Sequence, residues 1–283
     1  MLIHELLAQG VTRSFEFFPP KSDEESATLF STIATLQPLE PSFVSVTYRG
    51  GRESRQRTFD LVERIQSADR LTAMAHLICV GHRRDEMSEI LQNYLDAGVT
   101  NIMALGGDVP DDPDLVASDF AHASDLVALA REIGGFSIGV AAHPQGHPRS
   151  PSLASDRDFL ARKLERADFA VTQFFFRADE WVSLVGDLTR RGVTKPVVPG
   201  IMPVTALSSI DRMAAMGAAV PADVAARLHA ADERGGKDAV REAGIAAASE
   251  LCRDLLAAGA PGLHFYTLNR SQSSRDIWSQ LWP

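Results

Sequence analysis

Ala73-Met-Ala-His-Leu-Ile-Cys79 is an apolar run. Met87, Ile90, Leu91 and Tyr94 follow it at i, i+3, i+4 and i+7, and Gly98 stands where a helix would end; Asn101-Ile-Met-Ala-Leu105 is a second apolar run. Neither run alternates cleanly, as expected of strands buried on both faces of a parallel sheet. The segment therefore reads as strand, helix, strand.

The same alternation extends in both directions. Upstream lie Ser14-Phe-Glu-Phe-Phe18 and Phe43-Val-Ser-Val-Thr-Tyr48, the latter followed by a helical face of Phe59, Val62 and Ile65. Downstream lie Ser137-Ile-Gly-Val-Ala-Ala142, Phe169-Ala-Val-Thr-Gln-Phe-Phe175, Pro196-Val-Val-Pro-Gly-Ile-Met202 and Gly262-Leu-His-Phe-Tyr-Thr267. Trp181, Leu184, Val185 and Leu188 mark another helix, opened by Asp179 and Glu180 and closed by Arg190, Arg191 and Gly192. Residues 205–258 are expected to hold two or three helices, broken near Pro221 and at Gly235-Gly236. Eight strands alternating with helices in 283 residues predict an α/β fold, a single (β/α)8 TIM barrel spanning 1–283 as one domain. An open doubly wound sheet would be expected to carry G-x-G-x-x-G after its first strand, where this chain has Phe17-Phe-Pro-Pro-Lys21.

Hydrophobic residues at 45% and charged residues at 23% are ordinary globular values. A net charge of −9 supplies no basic excess to displace phosphate counterions, which argues against a nucleic-acid binder. Cys79 and Cys252 read as two buried free thiols. The start, Met1-Leu-Ile-His-Glu-Leu-Leu, lacks the cationic and apolar segments of a signal peptide, and no window suits a membrane span. A cytoplasmic location is expected, with no membrane or nucleic-acid partner.

In a barrel the chemistry sits at the carboxyl ends of the strands. Those positions hold Glu16, Thr47, His76, Asp108, His143, His147, Gln173 and Leu268-Asn-Arg270. No strand carries a lysine, which disfavours a Schiff-base aldolase. His-x-His on one strand is absent, leaving only convergence of His76, His143 and His147 as a metal reading. Glu16 and Asp108 could flank a glycosidic bond. Glu16, between Phe15 and Phe17-Phe18, either points into the barrel or caps its rim, and an unpaired carboxylate among aromatic rings is costly. Asp108 after Gly106-Gly107 reads equally as a ligand contact or a turn, His76 as a core histidine, and Thr47 and Gln173 as interior hydrogen-bond formers. Phe174-Phe-Phe176 reads as packing.

Several strings together resemble the methylenetetrahydrofolate reductase family. They are Ser14–Lys21, Val44–Tyr48, His76–His82, Gly107-Asp108, His143-Pro-Gln-Gly-His-Pro148, Thr172–Phe176, Pro199-Gly-Ile-Met-Pro203 and His264–Arg270, in the family's order from residue 13 to residue 271. The resemblance implies a (β/α)8 barrel that reduces 5,10-methylenetetrahydrofolate to 5-methyltetrahydrofolate with electrons from NADH or NADPH, normally through bound FAD. It assigns Glu16 as the proton donor and Asp108 as the pterin-holding carboxylate. Gln173 would read the pterin edge, and Leu268 and Arg270 would line the substrate region. Thr47, His76, His147, Asp156, Arg162 and Lys163 match cofactor-side positions. The family's small-molecule partners, and its oligomeric habit, are expected to carry over.

The chain also departs from the pattern. Where the family writes Ala-Leu-Arg-Gly-Asp, this chain has Ala104-Leu-Gly-Gly-Asp108, without the flavin-binding arginine. Thr47-Tyr-Arg-Gly-Gly-Arg-Glu53 replaces a small-residue loop, His143 replaces an aromatic, and Phe159 stands where a polar flavin contact is common. One charge-assisted hydrogen bond lost weakens binding about ten- to a hundredfold. The expectation is therefore direct hydride transfer from the dinucleotide without tightly bound flavin. Arg162-Lys163 would hold the dinucleotide phosphates, and Glu53 would be a second acid or a nicotinamide contact. The same reaction through FAD is the alternative, and a folate-binding barrel without catalysis the more distant one.

Overall fold

The computed structural model describes residues 1–48, 52–67, 71–107 and 118–282, with backbone only for 52–54. Its strands are β1 (Thr12–Phe17), β2 (Phe43–Val46), β3 (Ala73–Ile78), β4 (Asn101–Leu105), β5 (Ser137–Ala142), β6 (Phe169–Phe174), β7 (Val197–Ile201) and β8 (Gly262–Tyr266). Each pairs in parallel with the next, and β8 pairs with β1, so the sheet closes into an eight-stranded barrel. Asp108 lies outside the described residues, as does the side chain of Glu53.

Helices cover the outside: α2 (Asp23–Leu36), α3 (Arg52–Ser67), α4 (Arg84–Asp96), α5 (Ala123–Ile133), α6 (Leu153–Arg166), α7 (Ala178–Arg190), α8 (Ile210–Ala215), α9 (Ala222–Ala257) and α10 (Gln272–Leu281). The expected breaks are present. Pro221 caps the start of α9, and Gly235 and Gly236 are non-helical within it. Six strands end sooner than their apolar runs, leaving Phe18, Thr47-Tyr48, Cys79, Phe175, Met202 and Thr267 outside them. Tyr48, Cys79 and Phe175 are buried there, so apolar character reports burial at the rim rather than strand.

A helix that the sequence did not announce, α1 (Ile3–Gln9), seats itself under the barrel. Ile3 and Leu7 pack with the inward side chains Phe43, Met74, Met103, Phe169, Val171 and Val198. The Ile3 amide donates to Asn101 Oδ1 (2.8 Å) and the His4 amide to Ser137 Oγ (3.1 Å). Both acceptors stand at the first residues of their strands, so α1 plugs the amino-terminal end.

Strand alternation decides what the barrel interior holds. On β1, Phe15 and Phe17 join the outer core between sheet and helices, which turns Ser14 and Glu16 inward. Glu16 is level with Ser45 on β2 and with Tyr266 on β8, and Ser14 is level with His264. The interior is thus apolar near α1 and polar toward the opposite mouth. At that mouth β6 and β7 approach closely. The Gly200 amide donates to Thr172 Oγ1 (2.9 Å), and a Cβ on Gly200 would lie 2.3 Å from Thr172 O, so only glycine fits.

Candidate active site

Glu16 is buried, but its aromatic neighbours in sequence do not surround it in space. Phe15 and Phe17 face the helices, whereas the carboxylate points into the barrel, the first of its two readings, and meets a polar layer there. Its Oε2 lies 3.4 Å from Ser45 Oγ, 3.4 Å from His264 Nε2 and 3.5 Å from His76 Nε2. Thr267 Oγ1 donates to the Glu16 carbonyl (2.6 Å), tying β1 to the end of β8. Burial depresses the basicity of His76; Glu16 opposes that effect and His264 adds to it. Burial also raises Tyr266 well above a free phenol, with Glu16 acting in the same direction, and its hydroxyl donates to Thr172 O (2.7 Å).

Two buried polar atoms here make no hydrogen bond: Thr47 Oγ1, just past β2, and His76 Nε2, within β3, which faces Glu16 Oε2 at ion-pair distance. Such groups are rare in folded chains because each forfeits its hydration. The reading of Thr47 as a satisfied interior hydroxyl is therefore corrected. Gln173 fits that reading better, donating to Met216 O (3.3 Å) and accepting from the Phe174 amide (3.1 Å). Phe174 and Phe175 are buried, as packing requires.

Beyond β5 the structure gathers His143, His147, Asp156 and Lys163. The two imidazoles meet edge to face at 4.7 Å. Asp156 Oδ1 accepts from the His147 amide (3.2 Å) and from Ser150 Oγ (3.0 Å). Lys163 Nζ donates to Ala141 O (2.9 Å), and burial brings its amine down to about 8, against the pull of Asp156. His143 is pushed down to about 4, first by burial and then by His147, with Lys163 and Arg157 adding and Asp156 opposing.

Arg162 does not join Lys163. One step on around α6, its guanidinium is exposed, lies over the Phe159 ring (5.1 Å) and reaches back to Asp158 O (3.4 Å). The expected basic pair is therefore one inward amine and one outward guanidinium. His76 stands with Glu16 rather than with His143 and His147, and among the described residues no three His, Cys, Asp or Glu are grouped to hold a metal. Leu268 is exposed in a left-handed conformation (φ 51°) at the mouth, with Arg270 exposed beside it.

Sequence reasoning missed Arg157, the largest fully buried side chain. It donates to His143 O (2.8 Å) and Pro144 O (2.6 Å) and pairs with Asp156 (3.1 Å) and Asp187 (3.4 Å). The signal was present: Arg157, Leu160, Ala161 and Leu164 share the apolar stripe of α6. It also missed Ser45 and His264 as partners of Glu16, and Ser14 as the partner of His264. A cavity of about 330 Å³ lies beside β7, between α7 and α9, rimmed by the pairs Arg177–Asp223 and Arg227–Glu250. None of the expected site residues lines it.

Among solved structures, an uncharacterized protein from Clostridium thermocellum described as binding two copies of 5-methyl-5,6,7,8-tetrahydrofolic acid has the same fold. Its TM-score is 0.64 at 9% identity, covering 99% of this chain and 98% of that one. Sequence comparison reaches further. The 5,10-methylenetetrahydrofolate reductases of Pectobacterium carotovorum subsp. carotovorum and Escherichia coli strain K12 are each 35% identical over 269 residues, 93% of this chain and 88% of theirs. Methylenetetrahydrofolate reductase (NADH) 1 of Arabidopsis thaliana is 33% identical over 296 residues, covering 99% of this chain and 50% of the plant protein. The family model for methylenetetrahydrofolate reductase runs from residue 2 to residue 282, from the plug helix through all eight strands to α10. The chain belongs to the methylenetetrahydrofolate reductase family.

Proposed function

We propose that this chain reduces the methylene bridge of 5,10-methylenetetrahydrofolate to a methyl group, with NADH or NADPH as hydride donor. The observation that carries the reading is the carboxyl of Glu16, held through one oxygen in the barrel interior and level with the mouth-facing ends of β2 and β8. Its proton goes to a bridging nitrogen of the folate, the bond from that nitrogen to the methylene carbon breaks, and an iminium remains on the pterin side. Hydride adds to that carbon, and water returns a proton to Glu16. General acid help of this kind is worth about 10²–10⁴ in rate.

Asp108 and Gln173 are assigned to the pterin, Leu268 and Arg270 to the substrate at the rim. Gln173 must exchange Met216 O for the ligand, which its rotatable amide allows. Thr47, His76, His143, His147, Asp156 and Lys163 are assigned to the dinucleotide, with Glu53 beside it. Lys163 has donors to spare for a phosphate.

Direct transfer is the route we favour, because Gly106 supplies no guanidinium where the family has its flavin-binding arginine; with Arg162 turned outward, Lys163 alone is left for the dinucleotide phosphates. The second reading, through FAD, is supported by Thr47 Oγ1 and His76 Nε2, buried polar atoms that suit the edge of a bound ring system. Thr47, His76 and Lys163 would hold a flavin, which would relay the hydride.

The test is an absorption spectrum of purified protein, followed by NADH oxidation with and without the folate. A colourless protein that oxidises NADH only with methylenetetrahydrofolate supports direct transfer; a flavin spectrum moves the assignment to the second route. No methyl product with either dinucleotide, with or without added FAD, refutes the function. Glu16→Gln is expected to lose about 10²–10⁴ in kcat with a small change in KM.

A further inference from the structure

The contacts of Glu16 are one-sided. Ser45, His264 and His76 all address Oε2, and among the described residues none addresses Oε1. One oxygen is anchored and the other is left for a ligand. His264 is the anchor with the most support of its own. It is fully buried, its ring stacks on Phe43 (centroids 5.8 Å, 16° between planes), and the Tyr266 ring meets it edge-on at 5.5 Å. Its Nδ1 lies 2.7 Å from Ser14 Oγ, and its Nε2 lies 3.2 Å from Ser45 Oγ and 3.4 Å from Glu16 Oε2.

This arrangement accepts either form of the carboxyl. The single hydroxyl proton of Ser14 has two acceptors in reach, Leu263 O (3.3 Å) and His264 Nδ1 (2.7 Å). Donated to Nδ1, it leaves the imidazole proton on Nε2, facing an ionised Glu16. A protonated Glu16 keeps that bond and carries its proton on Oε1, whereas Ser14 turned to Leu263 O would leave a bare Nε2 that draws the proton to Oε2, away from the mouth. Either way the imidazole is neutral and hydrogen-bonded at both nitrogens, as complete burial demands.

We propose that His264, set by Ser14, is a positioning residue for the proton-donating step: it fixes Glu16 through Oε2 so that Oε1 presents the proton at the barrel mouth. The inference rests on the reading of Glu16 as proton donor. Groups facing the carboxylate are His76 from β3, Ser45 from β2, and His264 and Tyr266 from β8.

The experiment compares wild type, His264→Leu, His264→Gln and Ser14→Ala for methylenetetrahydrofolate reduction in H2O and D2O. Loss of a hydrogen bond to a charged group is worth about ten- to a hundredfold, so kcat of His264→Leu is expected to fall by that factor. KM should stay within about threefold, since an interaction used only in the chemical step is removed. The solvent isotope effect on kcat should grow as proton donation becomes slower. His264→Gln, which restores an amide near Nε2, should recover most of the loss, and Ser14→Ala should lower kcat by a smaller factor. Equal kcat for Leu and Gln, a loss confined to KM, or an unchanged isotope effect would overturn the proposal, because space-filling alone predicts those results. Should His264→Leu not fold, an unchanged kcat in Ser14→Ala overturns it. A wild type that does not reduce the folate refutes the functional reading instead, and the inference with it.

Discussion

Gly106 and Gly107 stand side by side just past β4, and alanine should be tolerated at the first and costly at the second. Gly107 has φ +87°, a region where an L side chain costs about 1–2 kcal/mol. A Cβ there would lie 2.2 Å from Ile78 Cγ2 and 2.7 Å from Val80 Cγ1, and overpacking of that kind costs about 1–3 kcal/mol. Gly107→Ala is therefore expected to lose about 2–5 kcal/mol, a large share of the 5–15 kcal/mol of an ordinary domain. At Gly106 the nearest atom to a new Cβ is the Ala123 amide nitrogen at 3.8 Å, and φ lies outside the left-handed region. Gly106→Ala should stay within about 1 kcal/mol of wild type. Urea unfolding followed by far-UV circular dichroism measures both, the midpoint moving with little change in slope. Function should follow at Gly107, whose carbonyl accepts from Arg149 (3.0 Å) and which precedes Asp108. Two variants within about 0.5 kcal/mol of each other would refute the argument, a margin that additivity errors alone produce.

A Cβ at Gly106 would meet only ordinary contact, and Gly106→Arg, which returns the guanidinium of the family pattern, should tighten FAD binding about ten- to a hundredfold, read by flavin fluorescence quenching. Acid should destabilise the fold through His143, whose folded value of about 4 lies below its ordinary 6.5. The unfolded chain then binds the extra proton, so stability is lost as pH falls from about 6.5 to 4 and levels off below, by at most about 3 kcal/mol; His143→Phe should flatten that interval in pH-dependent urea melts. Ile3→Ala should cost about 2–5 kcal/mol in the same melts, since Ile3 is fully buried among the inward side chains.

The barrel was legible because short continuous apolar runs, as expected of strands buried on both faces, alternate with segments whose apolar residues recur at the helical period of 3.6. Site positions were legible as residues toward the carboxyl ends of those strands and in the loops after them. What could not be read was direction. Glu16 sits between phenylalanines in sequence and among a serine and two histidines in space, because neighbours along a strand face opposite ways. Arg162 and Lys163 are adjacent in sequence yet about 100° apart around a helix, which sends one charge outward and the other in. His264 and Ser14 are 250 residues apart, and only closure of β8 on β1 brings them together. The apolar rim residues Tyr48, Cys79 and Phe175 looked like strand because burial, not backbone hydrogen bonding, selects such side chains.

The plug helix has a kinetic consequence. Ile3 and Leu7 cap an interior already filled by Phe43, Met74, Met103 and Phe169, so among the described residues the amino-terminal end is closed and the reactants of the proposed reaction would share the opposite mouth. Two reactants that share an entrance can queue or block one another. If hydride passes directly, dinucleotide and folate must stand in the doorway together, and the first in must leave the second a path. If it passes through a resident carrier, the oxidised dinucleotide must vacate before the folate arrives, and an excess of either reactant becomes an inhibitor of the other's turn. In the proposed reaction, a mouth shared because the other end is packed shut would make the order of arrival part of the rate law.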